Sequence, residues 1–308
     1  MSGPSFTRRR LLSSSLLAPL ASSAAVIGSA QSAAVPFEFV FLTDPHIQPE
    51  LGAVEGVNRC FDKVNEIKPA FIITGGDLIM DALEMGPDRV HEQWHLWDEA
   101  TKRLQSPVYH TIGNHDVCGW SQKAIVKPGE ADYGKKLFAD RYNQGRTYQS
   151  FDHGGWHFII LDSIGQESDL EYKGWIDDEQ LAWLQVDLEK TGKQTPIIIV
   201  THIPFYSVWH QVLLGPKINI GGKALVGNVH EFRKMFAGYN LKLVLSGHGH
   251  ISERIQFDQV TYLQGGAVCG LWWKGPVQGN PEGFVRVTCY PEGRFEDRYV
   301  SYGWQAKK

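Results

Sequence analysis

The chain contains no stretch of the roughly 20 strongly apolar residues that a membrane-crossing helix requires. The nearest candidate, Leu11 to Ala30, is interrupted by serines and by Pro19, and no later segment comes closer. It contains no CxxC pair. Its four cysteines, Cys60, Cys118, Cys269 and Cys289, are far apart, which argues against a zinc ribbon. It has no basic block beyond three arginines near the start and no internal repeat. Its one glycine pair in a long loop, Gly221-Gly222, lacks the spacing of a nucleotide-binding loop and reads as a turn. Without Arg8, Arg9 and Arg10, 27 basic residues stand against 34 acidic ones, a net charge of −7 with histidine neutral. Such an acidic chain argues against non-specific nucleic-acid binding.

What is present fits one globular domain. The chain has 308 residues, 43% of them hydrophobic, enough for a sizeable core. Residues 1–34 read as a targeting segment: a basic head at Arg8-Arg9-Arg10, a weakly apolar middle, and small residues at Gly28-Ser29-Ala30 and Ser32-Ala33-Ala34. The paired arginines resemble a twin-arginine (Tat) signal. The expectation is therefore a signal peptide over 1–34 and one domain over 35–308, exported through the Tat machinery to the periplasm or beyond the cell. No stable membrane span is expected in the mature chain. Export permits disulfides; the cysteines are read either as buried free thiols or as containing one pair.

Apolar runs predict strands at Phe37 to Thr43, Ala70 to Thr74, Val108 to Ile112, Trp156 to Leu161, Pro196 to Thr201 and Leu241 to Leu245. Between them, helical spacing recurs at Val54, Val57, Phe61, Val64 and Ile67, with Pro69 marking the end. It recurs again at Val90, Trp94, Trp97, Thr101 and Leu104, at Leu181, Leu184 and Leu188 behind a cap at Asp177 or Asp178, and at Val229, Phe232 and Phe236. A short helix is expected around Lys135 to Tyr142, and a long loop from Ile203 to Asn228. Three strands follow without helices: Val260 to Leu263, Gly283 to Cys289 and Phe295 to Tyr302, the last two joined by a turn at Pro291-Glu292-Gly293-Arg294. The order predicts an α/β fold of two packed mixed β-sheets flanked by helices, a four-layer α/β/β/α sandwich.

The strand ends carry the chemistry. Asp44 and His46 follow the first strand, and Asp77, in Gly75-Gly76-Asp77, follows the second. Asn114 and His115, in Gly113-Asn114-His115-Asp116, follow the third. His202 follows Pro196 to Thr201; His248 and His250, in Gly247-His248-Gly249-His250, follow Leu241 to Leu245. Parallel strands bring such ends to one sheet edge, where ligands bind in open α/β folds. Carboxylate, imidazole and amide oxygen suit two divalent ions of the manganese, iron or zinc type. Two acids under two dications leave a positive centre that attracts a phosphate ester and acidifies a water.

These motifs resemble those of the calcineurin-like metallophosphoesterases: D-x-H, GD, GNH followed by D or E, H, and GHxH. Here they read Asp44-Pro45-His46, Gly76-Asp77, Gly113-Asn114-His115-Asp116, His202 and Gly247-His248-Gly249-His250. The resemblance runs from about residue 37 to 250. It implies a small phosphoester substrate, monoester or diester, attacked in line by a two-metal-activated hydroxide. It implies that Asp44, His46 and His250 hold one ion, that Asn114, His202 and His248 hold the other, and that Asp77 bridges them. His115 would stabilise developing charge or protonate the leaving oxygen. Asp116 stands beside it, either to orient the ring or to cap a turn. Purple acid phosphatases place tyrosine three residues after the bridging aspartate, where this chain has Met80. Protein phosphatases carry GDxxDRG and GNHE, which this chain does not. The D-x-H and GNHD forms look more like the bacterial group containing cyclic-nucleotide phosphodiesterases.

Other residues are open to more than one reading. His210 lies just after His202 and is a candidate for the substrate pocket. Trp272 and Trp273 either pack between sheets or stack on a base or sugar, with Lys274 beside them. The remaining histidines, His91, His95, His110, His153, His157 and His230, are expected to be structural. The rival functions are a nuclease, a nucleotide pyrophosphohydrolase, and an exported metal- or phosphate-binding protein without catalysis. His115, which metal binding does not need, argues against the last.

Overall fold

A computed structural model describes residues 35–307; the expected signal peptide over 1–34 lies outside the described residues. In chain order the first half comprises β1 (Phe37–Leu42), α1 (Ala53–Ile67), β2 (Ile72–Thr74), α2 (Pro87–Thr101), β3 (Val108–Tyr109), α3 (Lys136–Ala139), β4 (Gln149–His153) and β5 (Trp156–Ile160). A hairpin of β6 (Ile164–Ser168) and β7 (Glu171–Gly174) leads to α4 (Asp178–Thr191), β8 (Ile197–Val200), α5 (Trp209–Leu214) and α6 (Val229–Met235). The chain ends with β9 (Leu241–Ser246), β10 (Ser252–Phe257), β11 (Val260–Gly265), β12 (Gly283–Cys289) and β13 (Phe295–Ser301).

Two mixed sheets form. One has the order β13-β12-β1-β2-β3, the other β10-β11-β9-β8-β5-β4. Strands β1, β2 and β3 run parallel, as do β5, β8, β9 and β11; antiparallel strands close the edges except at β3. Consecutive residues in the central strands point to opposite, equally buried faces. Phe39, Phe41, Ile73, Phe158, Ile160, Ile198, Val200, Leu243 and Leu245 fill the layer between the sheets. Their neighbours Val40, Leu42, Ile72, Ile159, Ile197, Ile199 and Val244 join the helix-side core with Val57 and Phe61 of α1, Trp94 and Trp97 of α2, Leu184 and Leu188 of α4, and Phe232 of α6. Burial on both faces explains why these strands read as continuous apolar runs. The expected four-layer α/β/β/α sandwich is thereby realised.

Local signals act as the sequence predicts at several ends. The Asp177 carboxylate accepts from the Gln180 N–H at 2.8 Å and caps α4. Helix α1 stops at Lys68, in left-handed conformation just before Pro69. The turn at Pro291–Arg294 joins β12 to β13, with the Tyr290 N–H donating to the Arg294 carbonyl. All four cysteines are buried and free.

The structure departs from these expectations at several elements. Strand β3 has two residues instead of five, although the Thr111 N–H beyond it still donates to the Thr74 carbonyl of β2 at 3.2 Å. Edge strands β4 and β10, and the hairpin β6–β7, were not expected. Their sequences, such as Ser-Glu-Arg-Ile-Gln-Phe in β10, mix polar residues with partial burial, so no continuous apolar run marks them. The long loop from 203 to 228 contains the short helix α5.

Candidate metal centre

The carboxyl ends of the parallel strands in both sheets meet at one place. The five-stranded sheet delivers Asp44 and His46 after β1, Asp77 after β2, and Asn114 in a 3-10 turn (Asn114–Asp116) after β3. The six-stranded sheet delivers His202 after β8 and His248 and His250 after β9. Five of these seven residues have left-handed backbones: Asp44 (φ 54°), His46 (41°), Asp77 (53°), His248 (71°) and His250 (56°). Aspartate and histidine tolerate this region better than most side chains, yet each instance costs on the order of 1–3 kcal/mol and clusters where function demands it. The glycines between them are needed sterically. A Cβ on Gly113 would stand 2.1 Å from the Asp77 nitrogen and 2.2 Å from its Oδ1, and one on Gly247 would stand 2.4 Å from Asp44 Oδ2.

The donor atoms converge in two sets. Asp44 Oδ1 lies 3.3 Å from His250 Nε2 and 3.8 Å from His46 Nε2, and the two imidazole nitrogens are 3.1 Å apart. In the other set, His202 Nε2 lies 3.1 Å from Asn114 Oδ1, and the His248 ring packs edge-on against His202. Asp77 Oδ2 stands between the sets, 3.5 Å from His46 Nε2 and 3.1 Å from His202 Nε2.

Hydrogen bonds behind the rings aim them. His202 Nδ1 donates to the Gly75 carbonyl at 2.8 Å and His250 Nδ1 to the Gly270 carbonyl at 2.7 Å. Each bond selects the tautomer whose Nε2 lone pair faces inward. Cys269 Sγ lies 3.8 Å from that same Nδ1, and it offers a donor atom within 4.8 Å of donors on both His46 and His250. Asp44 Oδ2 accepts from Thr43 Oγ1 at 2.6 Å, and the His248 N–H is shared between Oδ1 and Oδ2, 3.1 Å from each.

The charge balance calls for cations. Asp44 and Asp77 are almost wholly buried, and among the described residues their ion-pair partners are histidines only. Burial alone would raise both carboxyls, but His250 beside Asp44 and His202 beside Asp77 hold them below the usual range. Burial pushes His46 down to about 3 and His248 to about 4, so both are neutral donors. His202 goes the other way: burial opposes its charge, but Asp77 outweighs that and lifts it to about 9. Two buried anions that draw protons onto neighbouring imidazoles, inside an oxygen and nitrogen donor set, fit divalent cations. The seven side chains could hold two.

His115 lies against this cluster, its ring 5.1 Å from that of His46, and its backbone N–H donates to Asp77 Oδ1 at 2.8 Å. Its Nδ1 is 3.2 Å from Asp81 Oδ1. Burial would lower its pKa, but Asp77 and Asp81 raise it overall. Asp116 does not touch the ring. Its carboxylate accepts from the backbone N–H groups of Leu78, Ile79 and Gly113 and ties the Asp77 loop to the His115 loop. Of the two readings of Asp116, the turn-binding one holds, and Asp81 is the orienting carboxylate that sequence reasoning missed.

The tryptophan pair divides. Trp273 is buried and donates from Nε1 to the His46 carbonyl at 3.0 Å. Trp272 is half-buried, with its ring 4.2 Å from that of His46 and 5.3 Å from that of His115. Lys274 is exposed. His210 lies in the first turn of α5. Its Nδ1 is buried without a hydrogen-bond partner, and it lines a cavity of 190 Å³ shared with His248 and Gln264.

The sequence profile of the calcineurin-like phosphoesterases matches residues 37–252. A 3',5'-cyclic-nucleotide phosphodiesterase of Nostoc sp. is 24% identical over 76% of this chain and 79% of its own length. Purple acid phosphatase 23 of Arabidopsis thaliana is 24% identical over 72% of this chain and 48% of its own length. Among solved structures, a dimetal phosphatase from Danio rerio superposes with a TM-score of 0.58 at 14% identity, over 87% of this chain and 99% of that one.

Proposed function

The chain belongs to the calcineurin-like phosphoesterase family, a metal-dependent hydrolase of phosphoric esters, and from that premise we propose the division of labour among its residues. Asp44, His46 and His250 would hold one divalent cation and Asn114, His202 and His248 the other, with Asp77 between the two sets. The observation that carries this reading is the Asp77 Oδ2 atom, within 3.5 Å of an imidazole from each set. When bound, the cations supply Lewis-acid attraction for the phosphoryl oxygens and acidify a water.

His115 supplies the proton. Asp81 fixes its Nδ1 and favours the imidazolium, which leaves Nε2 free to face the ester. As the water, having given one proton to solvent, bonds its oxygen to phosphorus, the bond from phosphorus to the leaving oxygen breaks. That oxygen keeps the electron pair and takes the Nε2 proton. His210 and Gln264, with buried atoms lacking partners, meet the ester's other polar substituents. The similarity to a cyclic-nucleotide phosphodiesterase favours diesters among the substrates. Residues 1–34 direct twin-arginine export, a route compatible with a protein folded around its ions; replacing Arg8 and Arg9 by lysine then retains the protein in the cytoplasm.

The test is a substrate panel on manganese-loaded protein with 4-nitrophenyl phosphate, bis(4-nitrophenyl) phosphate, cyclic nucleotides and glycerophosphodiesters. Turnover of at least one class is expected. His115→Ala is expected to lose about 10²–10⁴-fold in kcat with its cation content unchanged. Protein inert towards every ester with manganese, iron or zinc overturns the proposal, as does a fully active His115→Ala.

A further inference from the structure

Beside His115, and away from the His210 cavity, lies a second cavity of 240 Å³. Its wall is formed by Trp272, Met80 and Met85, with His115 at one side. The charged groups that also line it are engaged elsewhere. Arg89 is paired with Glu50 and, at 2.8 Å, with Glu92. Asp81 Oδ1 is held by His115 and by the Leu83 N–H. Gln93 is spent on the backbone of Asp81 and Arg89. What remains free to meet a ligand is a tryptophan face, two thioether side chains and the neutral amide of Gln48.

The tryptophan is held there at a cost. Trp272 and Trp273 have φ of 53° and 66°, a region that bulky side chains avoid. Trp273 is locked beneath by its hydrogen bond to the His46 carbonyl and its edge-on contact with Trp304. The strained pair thereby presents the Trp272 ring beside His46, His250 and His115, 4.9 Å from the His250 ring. Methionines adapt to flat guests of varied outline, and sulfur contacts with aromatic rings are favourable. The volume falls below the roughly 300–1,000 Å³ of pockets for drug-sized ligands and suits a single ring system.

We infer that this cavity is the leaving-group subsite and that it selects phosphoesters whose departing alcohol carries an uncharged planar ring. The inference rests on the reading of His115 as proton donor. The group that receives the His115 proton has to depart on the His115 side, and this cavity is the space adjoining that side. With no unpaired cation in its wall, it offers nothing to a leaving group bearing its own negative charge.

Two variants test it against six esters: 4-nitrophenyl phosphate, 4-carboxyphenyl phosphate, glycerol phosphate, and the methyl diester of each. Rates are compared as variant over wild type for each ester, so that intrinsic leaving-group reactivity cancels. Trp272→Ala, checked to retain its cations, is expected to raise KM for the nitrophenyl esters about fivefold or more, with little change for glycerol esters. Met85→Lys, at a position 40% exposed, is expected to raise kcat/KM for carboxyphenyl over nitrophenyl esters by about threefold. Active enzyme in which both variants alter all esters equally overturns this inference alone. Wild-type protein inert towards every ester overturns it together with the proposed function.

Discussion

Asp81 Oδ1 and His115 Nδ1 lie 3.2 Å apart, although 34 positions separate the two residues. The carboxylate is itself fixed by the Leu83 N–H at 2.9 Å, and the Asp81 backbone is anchored by Gln93, so it is a rigid support for the ring. Asp81→Asn keeps the shape and removes the charge. Orienting partners of this kind typically contribute about 10–100-fold, and a loss of that size in kcat is expected with cation content unchanged. Asp81 raises the His115 pKa, and a proton donor fails as pH rises through that pKa. The alkaline limb of the variant's rate profile therefore moves to lower pH. An unmoved limb would show that Asp81 does not act through the ring.

Removing an amide from one cation set and removing the shared carboxylate differ in stoichiometry. Asn114→Ala is expected to keep one cation per chain, and Asp77→Ala to lose both at the same free cation concentration. Emission spectrometry after gel filtration gives the count. Chelation of wild-type protein is expected to lower its melting temperature, since a ligand at 100 times its Kd stabilises the native state by about 2.7 kcal/mol. Two cations retained by Asp77→Ala would remove its bridging role.

Gly113 has an ordinary φ of −108°, so its requirement is steric. A methyl group there meets the Asp77 main chain at 2.1 Å, and main chain cannot swing aside. Gly113→Ala is expected to cost about 1–3 kcal/mol by overpacking. Because the displaced group is Asp77, cation affinity should fall with it. Isothermal titration and thermal melting together check both halves, and an alanine variant with native affinity contradicts the geometry.

Far from the centre, His157 joins β5 to two carboxylates: its Nδ1 lies 2.7 Å from Asp152 and its Nε2 2.9 Å from Asp187. Burial lowers its pKa, but the two hydrogen bonds outweigh that and raise it above the ordinary value. The charged form is thus favoured in the folded chain. Its stabilisation is full below about pH 6.5, the pKa of an unfolded histidine, and fades as pH rises through the higher folded value. His157→Gln should flatten that part of the stability profile. Urea titrations of both proteins between pH 5.5 and 8.5 decide it, and parallel profiles would rule the linkage out.

Much of this arrangement could be read from the residues in order. Strands buried on both faces, such as Ile197–Val200, announce themselves as apolar β-branched runs, and the ligands stand directly after them. The edge strands were hidden because water covers part of each: Gln149–His153 has no apolar run to display. Asp81 was hidden for another reason. Asp116 is next to His115 in sequence, but in a 3-10 turn neighbouring side chains diverge, and the carboxylate that reaches the ring comes from a different loop. Both readings of Trp272 and Trp273 stayed open because the two share a residue type; burial then separates them, with Trp273 packed and Trp272 half-exposed beside His46.

Each proposed cation takes donors from both sheets: Asp44 and His46 with His250, and Asn114 with His202 and His248. A pair of ions held in this way would work as a rivet through the sandwich. Neither sheet can peel from the other without surrendering the metals, so metal loading should fuse two otherwise separable halves into one cooperative unit. Amide exchange would register this as simultaneous slowing in β1–β2 and in β8–β9, strands joined by no ladder of their own.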